Sequence, residues 1–303
     1  MKALKLLGGI FLTITLFTSC IVDIDTYEEP VTLEQLVTSY DIWYVDYNST
    51  TGNGDVPFLS KAFTVSFING RLYANNNLVG LGSVGSGYGI QIGYYDTYNG
   101  VLEIDHNYDG FIDLEVYQIS RNQIKLRDSY TNTSYYLIGY DSRNFDYDKV
   151  FYDNIEYFLQ EYVAWEKTYT SQQGALNEFD NENFLQFTPE YSNTFRSSED
   201  NFGTNIDNIY WDYEGGYEVY DVQGYDNLKV LTLDYDFFDN EEFELTVIND
   251  GEIDLYHVDS GTTYTFKGRR NIQFKNAEEK AKAEQGRKRF KVDRKTKTRR
   301  TKV

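Results

Sequence analysis

Two short stretches of the chain carry the same spacing of apolar residues. Leu33, Leu36, Val37 and Tyr40 fall at i, i+3, i+4 and i+7, with Trp43 behind them, and Ile155, Phe158, Leu159 and Tyr162, followed by Trp165, repeat that spacing 122 residues later. The period is that of one apolar helix face. Thr32 with Gln35 three residues on has capping-box spacing, so a short helix is expected over Thr32–Ser39; Asp153 with Glu156 gives the second helix its expected cap. After each opening the period drops to two. Phe63, Val65 and Phe67 alternate with Thr64 and Ser66, as half-buried strands do.

Strand-type runs separated by turn residues follow at Ile42–Tyr47, Ala62–Ile68, Arg71–Ala74, Tyr88–Tyr94, Val101–Asp105, Phe111–Ile119, Gln123–Arg127 and Ser134–Gly139. A second series lies at Trp165–Tyr169, Asn183–Thr188, Thr194–Arg196, Tyr217–Val222, Lys229–Asp234, Phe243–Ile248, Glu252–His257 and Thr263–Lys267. Asn69-Gly70 and Asp109-Gly110 are tight-turn pairs, which implies antiparallel pairing between next neighbours. From Tyr88 to Tyr140 the chain aligns without a gap onto Tyr217 to Arg269, at an offset of 129 residues and with 11 of 53 positions identical. The repeated helix–Trp opening and this register point to a duplication. The expected fold is all-β: two tandem eight-stranded antiparallel barrels or sandwiches, residues 32–145 and 153–270, each opened by a short helix. With 29 Tyr, 20 Phe and 23 Gly against 3 Pro, the composition agrees with strands and turns.

The ends of the chain read differently. Lys2 and Lys5 precede an apolar run, Leu6–Phe17, which marks residues 1–19 as an export signal. Leu16-Phe17-Thr18-Ser19-Cys20 resembles the lipobox of bacterial lipoproteins. That resemblance implies that Cys20, the chain's one cysteine, carries the lipid after cleavage. Several acyl chains, at ~0.8 kcal/mol per buried methylene, make such an anchor effectively permanent. Residues 20–31, with Asp23, Asp25, Glu28 and Glu29, form an acidic tether, and Ile21 follows the cysteine where an inner-membrane retention signal has Asp. At the other end, residues 275–303 hold 13 Lys/Arg and 4 Asp/Glu, a net of +9, which leaves −29 on residues 1–274 and −31 without Lys2 and Lys5. A body so acidic repels nucleic acid and anionic lipid. The tail itself reads as a capped helix from Asn276 to Gly286 and a disordered remainder, available to lipid phosphates, to the acidic body, or to neither.

A helix, an early Trp and about eight meandering strands in each copy resemble small lipocalin-like outer-membrane lipoproteins of Gram-negative bacteria, here in tandem. The tripeptides ending at the early Trp are Asp41-Ile42-Trp43 and Val163-Ala164-Trp165, without the Gly of the lipocalin Gly-x-Trp. The barrels are therefore expected either to form a cup or to be filled. The resemblance implies a lipid-anchored protein of the outer membrane, facing the periplasm or the cell surface. Its ligand would be a glycan, a small apolar molecule or another envelope protein.

Candidate chemistry is sparse. His106 and His257 occupy unmatched positions, and there is no Gly-x-Ser-x-Gly elbow. The glycine run Gly82–Gly89 lacks the Lys-Ser/Thr of a phosphate loop, and the His-x-Gly-His turn of a nicotinate-nucleotide adenylyltransferase is absent. The alternative to a binding or structural module is a secreted glycan or ester hydrolase using Asp/Glu. The sharpest local pattern is Asp105–Asp113: Asp105, Asn107, Asp109 and Asp113 supply oxygens at positions 1, 3, 5 and 9, with Gly110 at 6, as in the first part of a Ca²⁺ loop. Val116 stands where the bidentate Glu belongs, and the same residues equally make an ordinary polar hairpin. Tyr94, Tyr95 and Tyr98, with Tyr213, Tyr217 and Tyr220, offer aromatic surface for glycan or peptide.

Overall fold

The computed structural model describes residues 31–81, 87–188, 193–235, 240–272 and 289–299. The export signal, Cys20, nearly all of the tether, the helix expected at Asn276–Gly286 and the first five residues of the glycine run lie outside them.

Helix α1 (Leu33–Val37) starts as its capping box requires: Thr32 Oγ1 accepts from Gln35 N, and Gln35 Oε1 accepts from Thr32 N. Eight antiparallel strands follow: β1 (Ile42–Thr51), β2 (Thr64–Ile68), β3 (Arg71–Asn75), β4 (Ile90–Tyr98), β5 (Val101–His106), β6 (Gly110–Ser120), β7 (Gln123–Asp128) and β8 (Thr133–Tyr140). Each pairs with the next, and β1 pairs with β8, so the sheet closes into a barrel rather than a sandwich. The Asn69-Gly70 and Asn99-Gly100 turns have positive φ at both residues, the geometry that matches strand twist in two-residue hairpins.

The second copy repeats the plan with α3 (Ile155–Leu159), β9 (Tyr162–Thr170), β10 (Phe184–Phe187), β11 (Thr194–Ser198), β12 (Tyr213–Val222), β13 (Tyr225–Tyr235), β14 (Asn240–Asn249), β15 (Glu252–His257) and β16 (Thr263–Asn271). It closes through the β9–β16 and β11–β12 pairs. One residue set organises both openings. Trp43 and Trp165 Nε1 each donate, at 2.8 Å, to the carbonyl of the last helical residue, Val37 and Leu159. These are carbonyls that the helix end leaves without an internal partner. Tyr40 and Tyr162 then pack edge-on against their Trp, over Gly139 and Gly268 of the closing strands, where any side chain would collide with the ring.

An eight-stranded barrel is just wide enough for side chains to fill it, and these are filled. Trp43, Val65, Leu72, Leu102, Leu114, Leu126 and Leu137 are fully buried in the first; Trp165, Leu185, Phe187, Leu231, Phe243, Leu255 and Phe266 are fully buried in the second.

Strand pairing corrects the ungapped repeat. Leu102 lies between Thr97 and Leu114, and its counterpart Leu231 lies between Val219 and Phe243. The offset of 129 therefore holds from Val101 onward, whereas β4 maps onto β12 at 122, the offset of the helix–Trp openings. Seven extra residues lengthen the β12–β13 hairpin, so the Tyr88/Tyr217 identity is a coincidence.

Between the barrels, α2 (Tyr147–Asp153) is a helix where the sequence pattern suggests only a link; Asp146 caps it by accepting from Lys149 N at 3.0 Å. This moves the cap of the next helix. Asp153 ends α2 and pairs with Lys149 at 2.7 Å, and Asn154 occupies the junction, its buried amide donating to Val150 O and Tyr44 Oη. Phe151, Ile155 and Phe158 join Ile42, Tyr44 and Phe63 from the first barrel to the second barrel's interior in one apolar cluster. The first barrel thus packs on the second through these residues, while its own interior forms a separate cluster.

Candidate functional site

The Asp105–Asp113 segment is the β5–β6 hairpin. Asp109 lies beside His106, whose Nδ1 is 2.9 Å from Asp109 Oδ2 and 3.0 Å from Asp109 N; the first contact suits a protonated Nδ1, the second an unprotonated one. Asp105 faces Phe111 across the ladder and Asp113 faces Glu103. Asp105 and Asp113 thus occupy successive cross-strand rows on the outer face, and Asn107 and Asp109 belong to the turn. Among the described residues no group of three His, Cys, Asp or Glu side chains is placed to hold a metal. The tyrosines are split by strand alternation. Tyr94 and Tyr98 point outward; Tyr95 points inward, and its hydroxyl donates to Glu34 at 3.0 Å. Tyr217 is likewise buried, Tyr213 is exposed, and Tyr220 is half-buried beneath the tail.

The tail departs most from the sequence expectation, which leaves everything beyond Gly286 disordered. Residues 289–299 run as an extended strap along the seam between the barrels. Arg289 is buried where β1 and β2 diverge beyond Val45, and its guanidinium donates to Val45 O and Ala62 O at 2.8 Å and to Asn154 Oδ1 at 2.7 Å. The guanidinium also lies over the Phe63 ring, and burial pulls its pKa down from the usual arginine value. Phe290 packs on Tyr157, and Arg294 makes a two-pronged pair with Glu156. Strand β17 (Thr296–Lys297) then adds parallel to Asp221–Val222, on the lengthened β12–β13 hairpin. Lys297 pairs with Glu242 over the Tyr220 ring, and Arg299 binds both oxygens of Glu244 at 3.0 Å. Disorder follows from a lack of apolar period only when a segment has nothing to bury against; here charge and ring contacts supply the partner. Beside the strap opens a cleft of about 730 Å³ lined by Asn48, Asp146, Lys149, Asp153, Lys229 and Arg294 among others.

A second cluster occupies one end of the second barrel. Lys167, fully buried on β9, donates from Nζ to Asp180 O at 2.7 Å, and Tyr235 Oη donates to buried Glu182 at 2.6 Å. Glu241 pairs with His257 Nε2, and His257 Nδ1 lies 2.8 Å from Ser260 Oγ. Burial pushes Lys167 down to about 8, against the pull of Asp180 and Glu182. It pushes Glu182 up to about 7, against hydrogen bonds from Tyr235 and Ser197. Tyr235 is raised too, by burial first and by Glu182 next. Such opposed shifts are a mark of functional sites. Backbone pairing identifies the matching positions in the first copy: Lys167 N donates to Asn183 O as Val45 N does to Phe63 O. Lys167 thus corresponds to Val45, Glu182 to Ala62 and Glu241 to Ile112. At these three positions the charged residues of one barrel are apolar in the other, while Tyr235 and His257 match His106 and Asp128.

Sequence inspection does not find this cluster, because its members stand between positions 167 and 257 and meet only on closure. The signal lies in aligning the copies strand by strand, with the offset allowed to change. No family model, curated protein or solved structure matches this chain.

Proposed function

We propose that the protein is a lipid-anchored outer-membrane lipoprotein, held at Cys20, whose paired barrels serve as a binding or structural module of the cell envelope. The finer likeness to lipocalin-like lipoproteins belongs to the same proposal; it rests on the helix, the early Trp and the next-neighbour strand order. The observation that carries the binding role is the filling of both barrels. With Trp43 and Trp165 and their neighbours occupying the interiors, the groups left to meet a partner lie on outer faces and along the seam. The lipobox-like Leu16–Cys20 carries the address. Incorporation of labelled palmitate tests the anchor: the wild type is expected to label and Cys20→Ala is not. Equal labelling would overturn the assignment.

One observation favours a hydrolase instead, the Lys167–Glu182–Glu241–His257 end of the second barrel. Turnover of a glycan or ester substrate that disappears in Glu182→Gln, with the fold intact, would replace the binding role by this one.

A further inference from the structure

We infer that the outer face of β4, β5 and β6 in the first barrel is a docking surface for an extended, lysine- and arginine-bearing peptide of a partner protein. The duplication supplies the argument, because the matching face of the second barrel is already occupied by such a peptide, the chain's own tail. On that face, cross-strand rows run Tyr220–Val230–Glu244 and Glu218–Thr232–Glu242. Lys297 lies 4.2 Å from the centre of the Tyr220 ring and pairs with Glu242, while Arg299 takes Glu244. A ring beside a carboxylate holds a cation by both its face and its charge.

In the first barrel no described segment lies over the same rows. They run Tyr98–Val101–Glu115 and Asp96–Glu103–Asp113, and a third row, Tyr94–Asp105–Phe111, sets an acid between two rings. Tyr98 matches Tyr220, and Asp113 and Glu115 match Glu242 and Glu244. Glu115 is already engaged by Arg127, yet Glu103, Asp105 and Asp113 have no cationic partner among the described residues. Tyr98 and Phe111 are 65% and 85% exposed. Like charges directly opposite on neighbouring strands destabilise a sheet. A row of three carboxylates beside exposed rings therefore opposes folding and suits a cationic ligand. Tyr94 and Phe111 stand where the second barrel has Gly216 and Asn240, so this face offers more ring surface than the occupied one.

The inference rests on the binding role proposed above and gives it a ligand class. Palmitate labelling reads the anchor alone, so either can fail without the other. The probe is a fluorescent synthetic peptide with the sequence of residues 289–303, titrated into the full mature chain at fixed ionic strength and followed by anisotropy. Saturable binding is expected, weakened at least about tenfold by Asp113→Lys and about three- to tenfold by Tyr98→Ala. The tyrosine variant leaves net charge unchanged, so its loss cannot come from long-range attraction to an acidic body. Both residues are exposed, and melting curves check that the variants fold. Absence of binding overturns the inference. So does binding that ignores Tyr98→Ala but is lost in Glu242→Lys, which would mean exchange with the chain's own tail. Self-association of the chain abolished by Tyr98→Ala would make the occupant a second copy and would overturn the partner assignment.

Discussion

Arg294 is the strap residue whose removal has the clearest consequence. Its side chain and that of Glu156 are 8% and 9% exposed, and Nε and Nη2 donate to the two carboxylate oxygens at 2.7 and 2.6 Å. A third bond runs from Nη2 to Asp153 O at 3.0 Å. Arg294→Met keeps most of the stem and removes the charge. If the strap stayed in place, Glu156 would be left buried and unpaired at a cost of about 3–5 kcal/mol. The strap has an escape, however: by lifting away it returns Glu156 to water, so the loss cannot exceed the docking free energy of residues 289–299. A stability loss of about 2–4 kcal/mol is expected, with the strap released. Urea unfolding read by tryptophan fluorescence gives the loss. A double-mutant cycle with Glu156→Gln should show coupling of about 2–3 kcal/mol, little screened by salt because the pair is buried. Tryptic cleavage after Lys291 and Lys295 should be slow in the wild type and fast in Arg294→Met. Coupling below about 0.5 kcal/mol together with unchanged cleavage would refute a docked strap.

Glu182 is held near 7 against its usual 4.5, so the folded state keeps a proton that the unfolded state has lost across that window. Stability from this group is therefore highest below about 4.5 and falls as pH rises to about 7, by an amount of order 3 kcal/mol. Glu182→Gln should flatten that slope and be the more stable protein above pH 7, and parallel pH–melting profiles would count against a buried Glu182 that keeps its proton to about 7. Gly93→Ala would place a Cβ 2.3 Å from Asp105 O and Gly215→Ala one 2.1 Å from Asp234 O, so each should cost about 1–3 kcal/mol in urea unfolding. Gly100→Ala, at φ +83° with open space around it, should cost only the ~1–2 kcal/mol of a left-handed residue; an equal cost at all three sites would remove the close-approach argument. Melting temperatures in Ca²⁺ and in chelator should coincide, because Asp109 is engaged with His106 and Asp105 with Asp113 lie on separate rows. A calcium shift lost in Asp109→Ala would restore the loop.

Strand positions were legible because each barrel has one wet face and one buried face, which writes period two directly into residues such as Phe63 to Phe67. The Thr32 capping box was legible for a similar reason: its partners are three residues apart. What escaped is what depends on closure. Tyr88 aligns with Tyr217 in an ungapped comparison, which cannot see a seven-residue hairpin extension; strand pairing keeps β4 and β12 at the offset of 122. Arg289 reads as one more charge in a basic run, and nothing local marks it as the group that binds the carbonyls of Val45 and Ala62.

The duplication separates what folding needs from what it does not. Trp43 and Trp165, Tyr40 and Tyr162, Gly139 and Gly268 do the same mechanical work twice, so either copy shows that the barrel requires them. Lys167 and Glu182 have no such warrant, for the first barrel closes with Val45 and Ala62 in their places. Buried charges are often replaceable by apolar groups at no cost or at a gain, and here the molecule carries both versions of one position. The charged version then needs a reason outside barrel stability. The same logic applies in reverse to the outer faces: Tyr220, Glu242 and Glu244 are satisfied by the strap, whereas Tyr98 and Asp113 keep an equivalent chemistry with no cation against them among the described residues.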